Sequence, residues 1–337
     1  MITNGINILG GSNIRELIKG NEENIMSIVK EAYTLHYEEK TNLPQSVFLR
    51  FPKQKKKNRI IALPGYIDGK KEVAGIKWIS SFPDNIKQGI ERASALVVLN
   101  DMENGKPKAV LEGSQISSNR TAASAALAAK YLHKNKDEEA IGMIGTGLIN
   151  FTILRYLTVC FPKLKTIYLH DLDEVRCNEF KEKINGAYGD KFEVICCQKW
   201  DELLQRVNLI SFATTSAKPY IDKPELFHGG MTVLHVSLRD ISENIILQAN
   251  NVVDDVEHVC RAETSIHLTS IKAGNRDFIN GVLPECFAGK DLKLDDSKAT
   301  IFSPFGLGVL DLALSQYIYE EAEKEDKLTF VDDFFVL

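Results

Sequence analysis

The sequence predicts an α/β protein of two domains, in which a doubly wound parallel sheet is joined to a second α+β domain. The chain has 337 residues, which is more than one hydrophobic core usually organises. From about residue 138 strand-like and helix-like segments alternate, as is typical of a parallel sheet with crossover helices. The pattern before residue 135 is different. We therefore expect one domain over residues 1–134 together with 303–337, and the other over residues 135–302.

The first domain begins with strand-like segments and ends with a helix. Three apolar runs at 59–67, 72–80 and 94–101 are separated by turn signals, which predicts a sheet with short connections. Residues 117–134, "SSNRTAASAALAAKYLHK", have serines at the start and an alanine-rich body. This composition predicts a serine-capped, closely packed helix.

The second domain carries the alternation, and a terminal segment follows it. The predicted strands are "AIGMI" (140–144), "TIYLH" (166–170), "FEVIC" (192–196), "VNLISFAT" (207–214), "MTVLHVS" (231–237) and "NNVVDD" (250–255), with helices from about 148, from about 173 and near 200. After about residue 300 the pattern is a strand, a glycine-rich turn and a long helix. This segment lies outside the alternation, and we expect it to return to the first domain.

Composition excludes several classes of partner. Apolar residues make up 44% and charged residues 26%, and the net charge is −5, so we expect a globular protein without nucleic-acid or membrane partners. The short basic run at 53–59 is interpreted as a solvated loop. The six cysteines include no C-x-x-C pair, so no metal site is expected. No secretion signal is recognisable at the start, so we expect a cytoplasmic protein with reduced thiols.

Residues 144–150, "IGTGLIN", carry the main binding signal. They follow a predicted strand and begin a predicted helix, so Gly145 allows a tight turn and Gly147 lets a pyrophosphate approach the helix amino terminus. Thr146, Leu148 and Ile149 complete the expected contact segment. The motif predicts a Rossmann-type dinucleotide site, with an ordinary strand-to-helix turn as the alternative.

Asp171 supports the dinucleotide interpretation. It ends the second strand, where a carboxylate accepts hydrogen bonds from an adenosine ribose and repels a ribose phosphate, so NAD is favoured over NADP. Asn150 stands at the third glycine position, a departure that relaxes the need for close packing of helix on strand. Three further polar residues at the carboxyl ends of later strands are expected to contact the cofactor: Thr214, Thr215 and Ser237.

Four cations of the first domain stand at places where strands are expected to be buried, and together they suggest a pocket for carboxylates. They are Arg50 in "SVFLRFP", Lys77 in "GIKWIS", Arg92 in "ERAS" and Arg120 in the alanine-rich helix. Each alone is more often a surface charge, but a lysine within an apolar strand is costly to bury without an anion. Arginine pairs bidentately with carboxylates and lysine adds a point charge. Together they predict a substrate with carboxylate groups.

Asp240 is the candidate for proton transfer. It follows the strand "MTVLHVS" in the segment "SLRD", close to the edge where the nicotinamide is expected. A carboxylate there can exchange a proton with a nitrogen while the neighbouring carbon is oxidised or reduced. The alternative is that Asp240 caps the helix that follows. His235 is interpreted as a packed strand residue.

The motifs resemble those of the ornithine cyclodeaminase and mu-crystallin family over most of the chain. The matching segments are "RIIALPGYI", "AGIKWIS", "ERASALVVLND", "SQISSNRTAASAALAAKYL", "IGTGLI", "KPYI" and "SPFGLGVLDLALSQYIY". The resemblance implies an NAD-linked homodimer whose first domain and terminal helix bind substrate and build the subunit interface. It implies that the substrate carboxylate is held by Arg50, Lys77 and Arg120, that Asp240 is catalytic, and that Gly306 lies near the nicotinamide.

Within that family, "GIKWI", "ERAS" and "SPFGLGVLDLA" look most like a branch that supplies L-2,3-diaminopropionate for siderophores. The implied reaction is NAD-dependent oxidation of N-(2-amino-2-carboxyethyl)-L-glutamate to L-2,3-diaminopropionate and 2-oxoglutarate, in which Arg92 suits an additional carboxylate and Lys77 assists catalysis. "SLRD" differs from the Asp-Cys-Pro-Gly of the cyclodeaminases. The alternatives are a cyclodeaminase, a reductase of cyclic imines or 2-oxo acids, and a non-catalytic binding protein.

Overall fold

The computed structural model describes residues 4–51, 53 and 58–335. The chain divides into two compact units, Met1–Arg120 with Leu307–Leu337, and Thr121–Gly306. The first boundary falls inside a long helix, whereas the sequence placed it after that helix. The assignment of substrate binding to one domain and cofactor binding to the other stays a prediction.

The first 132 residues contain seven strands and three α-helices among the described positions. In chain order they are β1 (Ile6–Leu9), α1 (Gly11–Ile18), α2 (Glu22–Tyr37), β2 (Thr41–Asn42), β3 (Val47–Arg50), β4 (Arg59–Asp68), β5 (Glu72–Ser81), β6 (Ala93–Asn100), β7 (Pro107–Glu112) and α3 (Gly113–Leu132). The three strands predicted from the apolar runs are therefore confirmed as β4, β5 and β6.

The rest of the chain supplies nine strands and eight helices among the described positions. They are β8 (Ala140–Ile144), α4 (Leu148–Cys160), β9 (Thr166–His170), α5 (Glu174–Tyr188), β10 (Glu193–Cys196), α6 (Trp200–Leu204), β11 (Leu209–Phe212), β12 (Thr232–His235), α7 (Glu243–Gln248), β13 (Asn250–Val253), α8 (Val256–Val259), α9 (Ser265–Ala273), β14 (Ile279–Val282), α10 (Leu283–Phe287), β15 (Thr300–Ser303), α11 (Gly308–Lys324) and β16 (Thr329–Val331). The predicted alternation is confirmed.

The first unit is built on a mostly antiparallel sheet with the order β16-β1-β7-β6-β5-β4-β2, and β3 also pairs with β4. Lys77 of β5 stands opposite Leu63 of β4 and Val97 of β6. Helix α11 packs on this sheet, and Gly75 permits the close approach. A Cβ atom at Gly75 would lie 3.1 Å from a methyl carbon of Leu312 and 2.2 Å from the Val98 carbonyl oxygen.

Helix α3 begins earlier than predicted. It starts at Gly113, directly after β7, so the expected serine cap near residue 117 is wrong. The Glu112 carboxylate accepts hydrogen bonds from the backbone N–H groups of Ser114 (2.6 Å) and Gln115 (3.0 Å). A carboxylate satisfies the free donors of a helix start as a serine hydroxyl does, and it also interacts favourably with the helix dipole.

The second unit contains an eight-stranded sheet with the order β10-β9-β8-β11-β12-β15-β13-β14, and every pair of neighbours is parallel. The chain reverses direction along the sheet next to β8, so this is a doubly wound arrangement. Its strands are buried on both faces, as the continuous apolar runs predict. The predicted fold class is confirmed.

The basic run at 53–59 falls largely on residues 54–57, which lie outside the described residues. In the part of the chain that the structure describes, no helix combines the length and apolar character needed to cross a bilayer.

Candidate active site

A buried ion cluster lies in the first unit, at the middle of β5. Lys77 Nζ is 2.6 Å from Asp311 Oδ2, and Arg120 Nε is 3.1 Å from Asp311 Oδ1. The side chains of Lys77, Asp311 and Arg120 are 2%, 0% and 12% exposed. Two cations share one carboxylate, so the ionised cluster carries one net positive charge. A buried net charge is costly, and a ligand carboxylate would offset it.

The cluster also changes how its members titrate. Burial lowers the pKa of Lys77 to about 8, because the attraction of Asp311 only partly opposes it and Arg120 adds to it. Burial alone would raise the pKa of Asp311, but Arg120 and Lys77 more than offset that effect and hold it below its usual value. A lysine of this kind exchanges its proton near neutral pH, as an acid or base in catalysis must.

The other two predicted cations lie apart from Asp311. Arg50 is exposed at the end of the edge strand β3, with its guanidinium carbon 5.6 Å from the centre of the Phe48 ring. Arg92 is half-buried directly before β6, and its Nη1 donates to Ser81 Oγ at 2.9 Å. The expectation that all four cations lie where strands are buried is wrong for Arg50, because an edge strand leaves its end open to water.

In the second unit, the glycine-rich turn has the geometry that a pyrophosphate site needs. Gly145 has φ +90°, and a Cβ atom there would lie 2.6 Å from the Ala213 carbonyl oxygen, so only glycine fits. A Cβ atom at Gly147 would meet nothing within 4 Å, so the backbone there faces open space. The turn therefore presents bare backbone to a ligand.

The amino terminus of α4 is open to an anion. Gly147 is its N-cap, no side chain caps the first turn, and no acidic residue lies in it. Leu148 begins the helix and is 37% exposed, and Ile149 follows half-buried. Backbone donors and the helix dipole at such an end favour a phosphate. These features fit the NAD site predicted from the sequence.

Asp171 fixes the turn from the end of β9. Its Oδ2 accepts hydrogen bonds from the backbone N–H of Thr146 at 2.8 Å and from its hydroxyl at 2.7 Å. Oδ1 accepts from the backbone N–H of Asp173 at 3.1 Å. Sequence reasoning predicted the position of Asp171 for a ribose, but did not identify this contact with Thr146.

Asn150 has a role that the sequence analysis misjudged. Its side chain is fully buried, and Nδ2 donates to the carbonyl oxygens of Ile144 (3.1 Å) and Gly145 (2.6 Å). Its Oδ1 accepts from Ser211 Oγ at 2.7 Å. The departure from glycine therefore does not loosen the packing of helix on strand. Instead of a close contact between helix and strand, the Asn150 side chain provides hydrogen bonds that join the turn to β8 and β11.

A second buried carboxylate, Asp240, lies after β12. The Thr214 hydroxyl donates to its Oδ1 and the Ser237 hydroxyl to its Oδ2. His235 Nε2 lies 3.4 Å from Oδ2, and the side chains of both His235 and Asp240 are fully buried. The alternative that Asp240 caps the next helix is wrong, because α7 begins at Glu243 with Ser242 as its N-cap.

The segment that carries Asp240 has an unusual backbone. Leu238 has φ +74°, a conformation that costs a residue with a side chain roughly 1–3 kcal/mol. The Leu238 carbonyl oxygen accepts from the backbone N–H of Ser265 at 2.7 Å, and Arg239 Nε donates to the Glu263 carbonyl oxygen at 2.6 Å. A braced and strained turn of this kind is typical of a functional site.

The partners of Asp240 hold it as a carboxylate. Burial alone would raise its pKa, but His235, Ser237 and Thr214 outweigh burial and hold the pKa below its usual value. The ionised carboxylate accepts from the Thr214 and Ser237 hydroxyl groups and orients them. Thr215, the next predicted contact residue, is exposed.

Asp254 is a third buried carboxylate, and sequence reasoning missed it. Its Oδ1 accepts from the backbone N–H of Phe305 at 2.9 Å and its Oδ2 from that of Gly306 at 2.6 Å. Gly306 has φ +92°, a region that favours glycine. Asp254 therefore fixes the glycine-rich turn after β15. The signal was the pair of aspartates that ends the strand "NNVVDD".

The profile of the ornithine cyclodeaminase/mu-crystallin family matches residues 13–326. The N-((2S)-2-amino-2-carboxyethyl)-L-glutamate dehydrogenase of Staphylococcus aureus is 28% identical over 325 residues, which is 94% of this chain and 96% of the relative. The alanine dehydrogenase of Archaeoglobus fulgidus is 29% identical over 325 residues, with 94% of each chain covered.

A solved structure agrees with these sequence matches. A dimeric archaeal alanine dehydrogenase with bound NAD superposes with a TM-score of 0.85 at 27% identity, covering 98% of this chain and 100% of that one. The likeness extends through both units, so the expected family resemblance is confirmed by sequence and by fold.

Proposed function

Because this chain belongs to the ornithine cyclodeaminase/mu-crystallin family, we propose that it is an NAD-dependent dehydrogenase acting on a C–H bond next to an amine. The substrate proposed is N-(2-amino-2-carboxyethyl)-L-glutamate. Its products are L-2,3-diaminopropionate and 2-oxoglutarate. The observation that carries the proposal is the net positive charge buried at Lys77, Asp311 and Arg120, which suits a substrate carboxylate. The Staphylococcus aureus relative supports the choice of substrate.

The NAD assignment rests on the open turn and on Asp171. Gly145, Gly147 and the uncapped start of α4 would hold the pyrophosphate, and Asp171 would accept hydrogen bonds from the adenosine ribose. When bound, NAD supplies the hydride acceptor for the oxidation. The NAD-bound archaeal alanine dehydrogenase supports this assignment.

Residues of the first unit are proposed to bind the substrate anion. Lys77 and Arg120 would hold the carboxylate next to the carbon that is oxidised, because they already carry one charge more than Asp311 neutralises. With a pKa of about 8, Lys77 can also stabilise charge that develops on the substrate or exchange a proton with it. Arg50 and Arg92 are proposed for the remaining carboxylates.

Residues of the second unit are proposed to manage protons. Asp240 is fully buried and already accepts from the Thr214 and Ser237 hydroxyl groups, so we assign it proton uptake through these hydroxyls. Oxidation of the secondary amine leaves an imine. Water adds to the imine carbon, and collapse of the adduct breaks the C–N bond. In sum, substrate, water and NAD give two products, reduced cofactor and one proton.

A second candidate is oxidative deamination of a simple amino acid. The Archaeoglobus fulgidus alanine dehydrogenase, which is 29% identical, favours it. Alanine has one carboxylate, so this reaction would use the cluster at Asp311 and leave Arg92 without a ligand. Ornithine cyclisation and reduction of cyclic imines are the other reactions to compare.

Product stoichiometry tests the proposed function. The protein is incubated with NAD and, in turn, with the proposed substrate, alanine and ornithine. We expect equal amounts of reduced cofactor and 2-oxoglutarate from the first, and neither pyruvate from alanine nor proline from ornithine. Proline from ornithine without net reduction of NAD would identify a cyclodeaminase, and pyruvate with reduced NAD an alanine dehydrogenase.

The outer face of the first unit's sheet supports a homodimer. Val47, Trp78 and Leu96 lie in one row across β3, β4, β5 and β6, and their exposed fractions are 63%, 43% and 48%. This row faces away from Lys77, since side chains alternate along a strand. Large adjacent apolar side chains on a sheet face are typical of an interface. We propose that a second copy of the chain covers this face.

A further inference from the structure

One row of the first unit's sheet collects basic side chains on the face that carries Lys77. The register places Arg50 opposite Arg59, and Arg59 opposite Ser81. Ser81 lies four residues beyond Lys77 on β5, and side chains alternate along a strand, so both point to the same face. The Cα atoms of Lys77 and Ser81 are separated by about 13 Å along the strand. The row of Arg50, Arg59 and Ser81 therefore lies on the same face of the sheet as the ion cluster, further along β5.

Arg92 joins this row through Ser81. Its Nη1 donates to Ser81 Oγ at 2.9 Å, and its carbonyl oxygen accepts from the backbone N–H of Phe82 at 2.9 Å. Ser81 is only 6% exposed, so the guanidinium lies over a buried hydroxyl. The position of Arg92 is therefore fixed from both its backbone and its side chain.

Arg92 has no ion-pair partner among the carboxylates of the described residues. Burial lowers its pKa, and the neighbouring exposed Glu91 only partly compensates. A half-buried guanidinium held by one hydroxyl keeps most of its donors free for a planar anion. This differs from Arg120, whose Nε already binds Asp311.

We propose that Arg92 and Ser81, with Arg59 beside them, form a second carboxylate subsite that selects substrates carrying a carboxylate remote from the one at Lys77. The inference rests on the proposed function and deepens it. Arg92 is the specificity-determining residue of this subsite, and Ser81 is a positioning residue that orients its guanidinium. A substrate with a single carboxylate leaves Arg92 unpaired, and a site built for such a pair discriminates against that substrate.

Matched ligands test the subsite by equilibrium binding. The affinities of 2-oxoglutarate and 2-oxopentanoate, which have the same chain length and differ by the distal carboxylate, are measured by calorimetry on the NADH-loaded protein. We expect 2-oxoglutarate to bind about ten-fold more tightly or better, and Arg92→Gln to abolish that preference by weakening 2-oxoglutarate alone. Ser81→Ala reduces the preference, whereas Ser81→Thr, which keeps the hydroxyl, retains it.

A second pair of ligands identifies which carboxylate is bound. L-2,3-Diaminopropionate is compared with 1,2-diaminoethane as the amine in the reverse reaction with 2-oxoglutarate and NADH. Lys87→Gln is the control, because it removes an exposed cation close in sequence without touching Ser81. An Arg92-dependent preference in either pair supports the subsite. The absence of any preference in the unmutated protein, or an equal loss for both members of each pair, overturns it.

The result for the Arg92 subsite can be distinguished from the result for the proposed reaction. An Arg92-dependent preference for 2-oxoglutarate without turnover of the proposed conjugate would retain the subsite and remove the reaction. Turnover of the conjugate with no Arg92-dependent preference would retain the reaction and remove the subsite.

Discussion

Two fully buried aspartates, one in each unit, are held as carboxylates by different partners. Asp311 in the first unit contacts two cations, Lys77 and Arg120, and the group retains a positive charge. Asp240 in the second unit is surrounded by hydroxyl groups and His235. In the first region the carboxylate organises cations that can still bind an anion. In the second it orients hydroxyl groups that can pass a proton.

The difference predicts unequal costs when each charge is removed. Asp311→Asn leaves two buried cations without their anion, so we expect a loss of about 3–5 kcal/mol in the free energy of unfolding. The measurement is urea denaturation. Glu320→Gln, which removes the charged partner of the exposed Lys71, is the control and should cost about 1 kcal/mol or less. Equal losses in the two variants would mean that Asp311 does not balance a buried charge.

In the second region, the expected loss is in turnover. Asp240→Asn keeps the shape of the side chain but cannot take up a proton, so we expect turnover to fall by about 10²-fold or more while NAD binding persists. Steady-state kinetics and NAD titration measure the two effects. Asp222→Asn, an exposed position in the same unit, is the control. Full activity in the Asp240 variant would assign proton transfer elsewhere, first to Lys77.

The first region should titrate near neutral pH. Lys77, with a pKa of about 8, is charged below that pH and loses its charge above it, so carboxylate binding should be complete at pH 7 and weaken as pH rises. We expect about a ten-fold loss one unit above the pKa, measured as the affinity for 2-oxoglutarate.

Folding stability should move in the opposite direction over the same pH range. The unfolded lysine keeps its proton up to about its ordinary pKa of 10.5, so the unfolded state binds more protons and the contribution of Lys77 to stability increases with pH.

The control for the binding prediction is Lys77→Arg. Arginine stays charged over this pH range, so this variant should not lose affinity for 2-oxoglutarate as pH rises. Affinity that is flat through pH 9 in the unmutated protein would contradict the assignment.

The carboxylate of Asp171 extends the comparison to the choice between NAD and NADP. Asp171, like Asp240, accepts from a neutral hydroxyl, but it is only half-buried. Asp171→Ser removes the charge that repels a ribose phosphate, so the preference for NAD over NADP should narrow by about five-fold. Fluorescence titration with the two reduced cofactors gives the ratio. The control is Asp173→Ser, which keeps a capping oxygen on α5 and should leave the ratio of the two affinities unchanged. If the unmutated protein bound the two cofactors equally well, Asp171 would have no part in the preference.

The sequence was most informative where local pattern and tertiary structure agree. Lys77 was predictable because a charge within an apolar strand needs a partner. Gly145 was predictable because a strand, a glycine turn and a helix follow one another. The partner Asp311 was missed, since an aspartate in a helix usually faces solvent. The surrounding apolar residues of "GVLDLAL" were the available signal that this one is buried.

Other features depend on contacts that no local pattern specifies. Arg50 was predicted on a buried strand, but β3 is an edge strand, and strand order is set by long-range pairing. The contact of Arg92 with Ser81 follows from the antiparallel register of β5 and β6, which brings residues eleven positions apart together. Asn150 was interpreted only as a departure from the glycine pattern, because its hydrogen bond is made with Ser211, sixty-one residues later in the chain.

Isotope transfer tests the central claim most directly, namely that the first unit's cations hold a carboxylate next to the carbon that is oxidised. The proposed conjugate is prepared with deuterium at the α carbon of its glutamyl part and incubated with NAD. We predict one deuterium in the reduced nicotinamide for each 2-oxoglutarate released, and loss of both products together in Lys77→Met. Unlabelled reduced cofactor, with the deuterium retained in an organic product or released to water, would contradict the account.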